Sequence, residues 1–341
     1  MPSSRSLSLT LGALGASALV LAGCASTTSA ADAGDDRISV VATTNVYGQI
    51  AEQIGGDRVA VTSIISSDSQ DPHSFEPSAR DQLAVSKADL IIENGGGYDA
   101  FVDSLIESSG TEAPILTAVE FSSEWPGASA HDDSDAHGDE EDHADEGEHA
   151  DEHGHGHEHD HGHEHVDGFN EHVWYDPQAM ADLALAIAAE LGELSSADAD
   201  AFDQAADALV GEIAGLDAEL SGIRDAHADA AVFVTEPVPV YLVTAAGLID
   251  VTPNAFSEAV EEGQDVAPAT LLEALDLVGS GDVRVVITNA QTGGAETVRI
   301  VDEAEESGVP VIGFSETLPA GQTYISWMRA NIEALTTALG A

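Results

Sequence analysis

The chain has 341 residues, 43% of them hydrophobic, so it is long enough for two domains of ordinary size with a substantial core. Its charge is strongly one-sided: 63 Asp and Glu stand against 9 Lys and Arg, giving a formal net charge of −54 at pH 7. Such an acidic surface repels polyanions, which excludes nucleic acid as a partner and favours cations.

The N-terminus is typical of an exported lipoprotein. An apolar run, Leu7–Ala22, follows Arg5 and is too short for a permanent membrane span. It ends in the tetrapeptide Leu-Ala-Gly-Cys, which matches the motif cleaved by lipoprotein signal peptidase. Cys24 is the only cysteine, so no disulfide framework is expected. We therefore predict a signal peptide at 1–23, lipidation of Cys24, a linker at 24–36, and anchoring on the outer face of the cytoplasmic membrane, at the cell surface or in a periplasm.

Residues 37–195 are predicted to form a first α/β lobe. Short β-branched runs alternate with longer helical stretches, a pattern that favours a parallel sheet covered by helices. Three consecutive glycines, Gly95–Gly97, predict a plain turn. The predicted strands are Ile38–Thr44, Val59–Ile65, Ala88–Asn94 and Pro114–Ala118, and the predicted helices between them are Asn45–Gly55, Ser78–Ser86 and Asp99–Ser108.

An insertion at 124–170 interrupts this lobe. It consists mainly of Asp, Glu, His and Gly, and it has too little apolar surface to order itself. Seven of its histidines occupy alternate positions, namely His153, His155, His157, His159, His161, His163 and His165. A Gly-rich tract cannot fix its imidazoles, so we predict that it binds several metal ions loosely.

A long helix is predicted to join the first lobe to a second one. Pro177 suits the first turn of a helix that runs to about Leu194, and Ser196 is a candidate N-cap for the next helix, Ala197–His227, within a linking segment 196–228. The second lobe, 229–341, has predicted strands Ala231–Glu236, Val283–Asn289 and Pro310–Glu316 and predicted helices Val240–Ala246, Pro268–Gly279, Glu296–Ser307 and Tyr324–Leu339. The predicted fold is α/β, with two parallel-sheet lobes, one long rigid helix between them and a cleft between the lobes.

Four residues are candidate metal ligands. His73 follows a predicted strand in the loop DPHSFEPS, where open α/β sheets bind ligands, and two prolines stiffen that loop. His172 lies in NEHVWYDP, in ordered apolar sequence just before a helix. Glu236 and Glu316 each end an otherwise apolar strand of the second lobe. Two imidazoles and two carboxylates can form a closed shell around one divalent cation.

Two further residues are predicted to orient these carboxylates. Asn289 and Gln291 lie in TNAQTGG at the end of another strand of the second lobe, where they could hydrogen-bond to Glu236 or Glu316. A catalytic metal site keeps one coordination position open, and four protein ligands leave none, so the prediction is a binding protein and not an enzyme.

Four segments resemble the zinc- and manganese-type solute-binding lipoproteins of ABC importers. They are DPHSFEPSARD, NEHVWYDPQAM, TEPVPVYLVTAAGLIDVTP and SETLPAGQTYISWM, and the likeness covers about Arg37 to Leu339. The resemblance implies two α/β lobes joined by one rigid helix, a metal ion in the cleft and an ABC permease as partner. Residue by residue, it implies His73 and His172 as the first two ligands and a carboxylate at Glu316.

The metal identity depends on Glu236. In the resembled family this position is a histidine in zinc-type members and a glutamate in manganese-type members. A long His-rich insertion before the second histidine motif is, by the same resemblance, a mark of zinc members, and imidazole binds zinc much better than manganese. The sequence therefore favours Zn²⁺ as the bound metal, with the tract as an accessory collector and Mn²⁺ as the alternative.

The sequence predicts a monomeric extracytoplasmic receptor, anchored to the membrane by lipid, that delivers Zn²⁺ to an ABC permease. Three alternatives stay open at this point. The first is the same role for Mn²⁺. The second is a surface zinc metalloenzyme in which His73, His172 and Glu236 hold zinc with a bound water. The third is a storage lipoprotein in which the histidine tract itself is the functional part.

Overall fold

The computed structural model describes residues 37–67, 70, 72, 75–127, 166 and 168–340. These described residues belong to one compact unit. The predicted signal peptide, the predicted linker and most of the predicted insertion lie outside the described residues. So do several predicted functional residues, namely Cys24, His73 and the seven histidines of the tract.

The first lobe is a four-stranded parallel sheet in the order β2-β1-β3-β4. Its strands are β1 (Ile38–Thr44), β2 (Val59–Ile65), β3 (Leu90–Glu93) and β4 (Ile115–Thr117), and its helices are α1 (Asn45–Gly55), α2 (Ala79–Val85) and α3 (Phe101–Ser109). Val40, Val41 and Ala42 of β1 are fully or almost fully buried. This central strand is therefore apolar on both faces, as parallel sheets covered by helices require.

The second lobe repeats this topology, with strand order β6-β5-β7-β8 and parallel pairing throughout. Its strands are β5 (Ala231–Val234), β6 (Ile249–Asp250), β7 (Val283–Asn289) and β8 (Val311–Phe314). Its helices are α6 (Val240–Ala245), α7 (Asn254–Glu261), α8 (Pro268–Gly279), α9 (Ala295–Ser307) and α10 (Tyr324–Leu339). Two parallel-sheet α/β lobes were predicted, and the fold confirms them.

The shared strand order places a switch point in each sheet, between β1 and β3 in the first lobe and between β5 and β7 in the second. Open parallel sheets bind ligands beyond the carboxyl ends of the strands at such a point. Glu236 follows β5 by two residues and Asn289 ends β7. The candidate site in the second lobe therefore coincides with the position that the topology favours.

Two helices follow the first sheet, and the second of them connects the lobes. In α4 (Pro177–Leu194), proline occupies the first turn, as predicted, and the Asp176 side chain accepts a hydrogen bond from the Gln178 backbone. The helix α5 (Ala199–His227) has 29 residues and begins two residues later than predicted. The N-cap prediction at Ser196 is wrong, because the preceding residues form a turn and Asp198 occupies the cap position.

The helix α5 belongs to both lobes, since it packs against α1 and α4 on one side and against α6 and α10 on the other. One apolar core runs through the whole unit and includes Ile50, Leu183, Leu216, Leu242 and Ile332. A helix anchored along its length in a shared core cannot bend freely, which agrees with the rigid connector that was predicted.

Two elements of the second lobe were not predicted from the sequence. The strand β6 is only two residues long, which is too short for an alternating pattern to register. The helix α7 has eight residues and lacks a side-chain cap. Both follow α6 and precede Pro268, in a segment that had been left without structure, and α7 brings Glu261 to the candidate site.

Polar contacts join the lobes directly. Asn45, the first residue of α1, donates to the Leu318 carbonyl (2.8 Å) and accepts from the Leu318 amide (2.9 Å). Tyr175 donates to the Ser315 carbonyl at 2.8 Å. In the described part of the chain, no helix combines the length and apolar character needed to cross a membrane.

Candidate metal site

Glu236 is buried at the carboxyl end of the second sheet, with 4% of its surface exposed. The Thr292 hydroxyl lies 2.5 and 2.6 Å from its two carboxylate oxygens, which share its single donated proton. The Asn289 amide nitrogen donates to Oε2 at 2.9 Å. A buried carboxylate needs such partners, because burial alone disfavours its charge.

Glu316 lies beside Glu236 and is 2% exposed. The same nitrogen of Asn289 donates to Oε1 of Glu316 at 2.6 Å, so one amide bridges the two carboxylates. The Tyr98 hydroxyl of the first lobe donates to Oε2 at 3.0 Å. Two carboxylates held this close repel each other, and a divalent cation would relieve that repulsion.

Gln291 binds the backbone beside the second carboxylate. Its Oε1 accepts hydrogen bonds from the amides of Glu316 and Thr317, at 2.6 and 2.9 Å. These bonds fix the turn that follows β8. The structure therefore places both predicted orienting residues, Asn289 and Gln291, against the two candidate carboxylates or their turn.

His172 precedes the turn that leads into α4 and is 1% exposed. Its Nδ1 lies 2.7 Å from Oδ1 of Asn170, whose own Nδ2 donates to the Pro237 carbonyl. The second contact fixes Oδ1 as the acceptor, so Nδ1 carries the proton and donates. In the neutral imidazole this leaves the lone pair on Nε2, the arrangement that a metal-binding histidine needs.

Donor atoms of Glu171, His172 and Glu261 all lie within 4.8 Å of one another. Nε2 of His172 is 3.7 Å from Oε1 of Glu261. The structure thus brings Glu236 and Glu316 together through Asn289 and groups His172 with two further carboxylates. Among the described residues, Tyr98 connects the two sets, since its ring packs edge-on against His172 and its hydroxyl binds Glu316.

The three glycines before Tyr98 all have positive φ, at 78°, 68° and 98°. Only glycine adopts such a run readily. Asp99 stabilises the turn by accepting from the amides of Asn94 (2.7 Å) and Gly95 (2.9 Å). The predicted plain turn therefore has a specific effect, because it brings the buried ring of Tyr98 to the boundary between the lobes.

Burial also sets the protonation of the groups behind the site. Desolvation, followed by the Glu316 charge, raises the pKa of Tyr98 well above its ordinary value, so its hydroxyl keeps its proton and donates. Desolvation likewise raises the pKa of Asp99, although the hydrogen bonds that it accepts oppose the shift.

Five contributors were missed from the sequence: Asn170, Glu171, Thr292, Tyr98 and Glu261. The first three lie within two residues of predicted site residues, so the motifs NEH and NAQT could have indicated them. Tyr98 could have been found only by asking why three glycines precede it. Glu261 lies on α7, an element that the sequence analysis did not predict, and no local signal marked it.

Imidazole nitrogen combined with carboxylate oxygen suits divalent transition metals such as zinc, iron and manganese. The fold and the site together define a two-lobed α/β binding protein with a buried donor set where the lobes meet. Residues 40–338 match ZnuA, described as zinc-uptake complex component A, periplasmic, and the chain belongs to this family. The family comprises solute-binding receptors of ABC transporters and not enzymes, which confirms the prediction of a non-enzyme.

Curated relatives align over part of the chain. The manganese ABC transporter substrate-binding lipoprotein scaA of Streptococcus gordonii is 38% identical over 93 residues, which is 26% of this chain and 30% of that protein. PsaA of Streptococcus mitis, also named a manganese ABC transporter substrate-binding lipoprotein, is 38% identical over 104 residues, 29% of this chain and 33% of its own. The aligned part spans about a third of the length of these relatives.

Solved structures share the fold over nearly the whole chain. The laminin-binding protein Lmb of Streptococcus agalactiae has a TM-score of 0.64 and 22% identity, covering 89% of this chain and 99% of that one. A zinc-bound deletion mutant of ZnuA has a TM-score of 0.66 and 18% identity, covering 90% and 99%. FpvC of Pseudomonas aeruginosa in complex with Mn²⁺ has a TM-score of 0.64 and 21% identity, covering 89% and 98%.

Proposed function

We propose that this protein is the extracytoplasmic receptor of an ABC importer, which captures a divalent metal ion between its lobes and delivers it to the permease. The observation that carries the proposal is the buried pair Glu236 and Glu316, bridged by Asn289 and linked through Tyr98 to the oriented ring of His172. Buried carboxylate oxygens close to an imidazole nitrogen form a donor set that binds a divalent cation.

We propose Zn²⁺ as the cargo, held by His73, His172, Glu236 and Glu316. The support comes from the histidine tract, because alternating imidazoles bind zinc far better than manganese and would raise its local concentration. Near pH 6 to 7 these imidazoles take up protons, so capture by the tract weakens there. The tract is an accessory in this proposal, and the site between the lobes is the principal one.

Mn²⁺ is the second candidate, and one observation favours it. Glu236 supplies a carboxylate, which can bind through both oxygens and so raise the coordination number toward the six that manganese accepts. Two curated relatives, scaA and PsaA, are named as manganese ABC transporter substrate-binding lipoproteins. A carboxylate bound through one oxygen is equally compatible with tetrahedral zinc.

Location follows from the same proposal. Cleavage after residue 23 and lipidation of Cys24 would hold a monomeric receptor on the outer face of the cytoplasmic membrane. The metal ion gains and loses coordination bonds only, and no covalent bond is made or broken. Four protein ligands release an ion slowly on their own, so delivery needs a trigger. In this proposal, docking on the permease opens the site.

The deciding experiment is a competition titration with Zn²⁺ and Mn²⁺ on the protein lacking residues 131–165. One tight site should remain, and His73→Ala or His172→Ala should remove it. If the deletion abolished all metal retention, the storage alternative would replace the receptor. If Mn²⁺ displaced Zn²⁺ from the shortened protein in this competition, manganese would be the cargo.

A further inference from the structure

Glu261 is not one of the four proposed metal ligands, yet its carboxylate lies beside Nε2 of His172. It is the last residue of α7, and its carboxylate reaches from the second lobe to His172 of the first. Only part of its surface is exposed, with the side chain at 13% against 1% for His172.

The separation of the two atoms is informative. Nε2 of His172 and Oε1 of Glu261 are 3.7 Å apart. That exceeds the length of a hydrogen bond, about 3.2 Å at most. Two ligand atoms on one tetrahedral ion with bonds of about 2.0–2.2 Å lie roughly 3.3–3.6 Å apart. The spacing is therefore close to that of two donors which share an ion.

The orientation of the His172 imidazole also suits a shared metal ion. Nδ1 is bonded to Asn170, so in the neutral imidazole the atom near Glu261, Nε2, carries the lone pair. A third donor, Glu171, lies within 4.8 Å of both and is 3% exposed. The group therefore combines a nitrogen and two oxygens from two lobes, which is a donor set and not merely a cluster of acids.

Glu261 also borders a cavity of about 590 Å³ that continues to the Glu236 side of the site. The cavity is lined by the loop after α7 and by the loop that contains Thr292, the residue that donates to Glu236. Its outer wall carries exposed carboxylates, Glu262 and Asp265. An acidic cavity attracts cations from solvent, which places Glu261 where an incoming ion would meet the site.

We infer that Glu261 is an additional metal ligand, which binds the ion together with His172 and supplies a third carboxylate to the site. This inference rests on the proposed function. A further oxygen donor lets the site hold an ion of higher coordination number, so the contribution is larger for Mn²⁺ than for Zn²⁺.

The test uses the full-length chain with every histidine from His131 to His165 replaced by Asn, so that only the site between the lobes binds tightly. Affinities for Zn²⁺ and Mn²⁺ are measured by competition with a chromophoric chelator. Glu261→Gln should weaken Mn²⁺ binding at least tenfold and Zn²⁺ binding at least threefold. The neighbouring exposed Glu262→Gln should change both by less than twofold, and thermal melting without metal checks that each variant folds.

The outcomes separate the two proposals. If His172→Ala removes tight binding but Glu261→Gln matches its parent for both metals, Glu261 is not a ligand and the receptor stands. If His172→Ala binds as tightly as its parent, the proposed function fails. If Glu261→Gln weakens binding only as much as Glu262→Gln does, the effect is general electrostatics and the inference is overturned.

Discussion

Tyr98 of the first lobe donates a hydrogen bond of 3.0 Å to Oε2 of Glu316 in the second. Both residues are buried, at 0% and 2% exposure. Desolvation and the Glu316 charge raise the pKa of the Tyr98 hydroxyl, so it remains a donor at neutral pH. The contact therefore holds a proposed ligand in place and joins the two lobes at the same point.

Replacing Tyr98 by Phe should weaken Zn²⁺ binding by about tenfold, because a hydrogen bond to a charged group contributes roughly 1.5–3 kcal/mol and helps to orient Glu316. Competition titration measures the change. Tyr324→Phe is a matched control, since that buried hydroxyl donates to the Trp174 carbonyl and not to a carboxylate. Equal losses of affinity in the two variants would mean that Tyr98 acts only through stability.

Asn289→Ala should reduce metal affinity about 10- to 100-fold, the usual cost of removing a partner that orients metal ligands. Its amide nitrogen touches Glu236 at 2.9 Å and Glu316 at 2.6 Å, and without it the two carboxylates lose a shared donor. Asn331→Ala is the control, because this largely buried asparagine donates to the Tyr175 hydroxyl. An affinity for Asn289→Ala within twofold of the parent would contradict the bridging role.

The sequence predicted the parts of the site that local pattern can encode. Asn289 ends an apolar strand, and Glu236 and Glu316 each follow one by two residues. The shared edge of the sheet brings such strand ends together. Residues that reach the site from another lobe gave no such signal. The position of Tyr98 depends on a turn of three glycines with positive φ. The position of Glu261 depends on a short helix without a side-chain cap.

The same limit applies to the fold. Long segments with strong patterns, such as α10 and β7, match their predicted bounds residue for residue. The beginning of α5 differs because Ser195 donates its hydroxyl to Asp198 and forms a turn there, a choice between two neighbouring caps that hydrophobic periodicity does not encode. The two-residue strand β6 exists only because β5 offers it an edge.

Glu93 should make the stability of the metal-free protein depend on pH. It ends β3, and burial, followed by the neighbouring acids Asp99, Asp103 and Glu120, raises its pKa from 4.5 to about 7, against the opposing hydrogen bond from Thr117. The folded chain therefore keeps a proton at Glu93 that the unfolded chain has lost. The free energy of unfolding falls as pH rises from about 4.5 to about 7, and the penalty is complete above that range.

Glu93→Gln should remove this penalty, because glutamine stays neutral and can still accept from Thr117. Denaturant unfolding should show the variant about 2 kcal/mol more stable than the parent at pH 8 and much closer to it at pH 5. The exposed Glu112→Gln serves as the control and should show no such divergence. A constant difference between Glu93→Gln and the parent across this pH range would contradict the assigned shift.

Glu236→His tests the choice of metal at the candidate site. An imidazole in place of this carboxylate removes an oxygen donor and lowers the negative charge, so Mn²⁺ affinity should fall by tenfold or more while Zn²⁺ affinity changes much less. The Thr292 hydroxyl, which donates to both oxygens of Glu236, would lose its acceptor, so some loss of stability without metal is expected as well. Competition titration after removal of residues 131–165 gives the ratio of the two affinities, and Glu306→His, on the exposed face of α9, controls for an added histidine elsewhere. If the ratio did not move toward zinc, Glu236 would not be a ligand and the carboxylate pair would have to be reassigned a structural role.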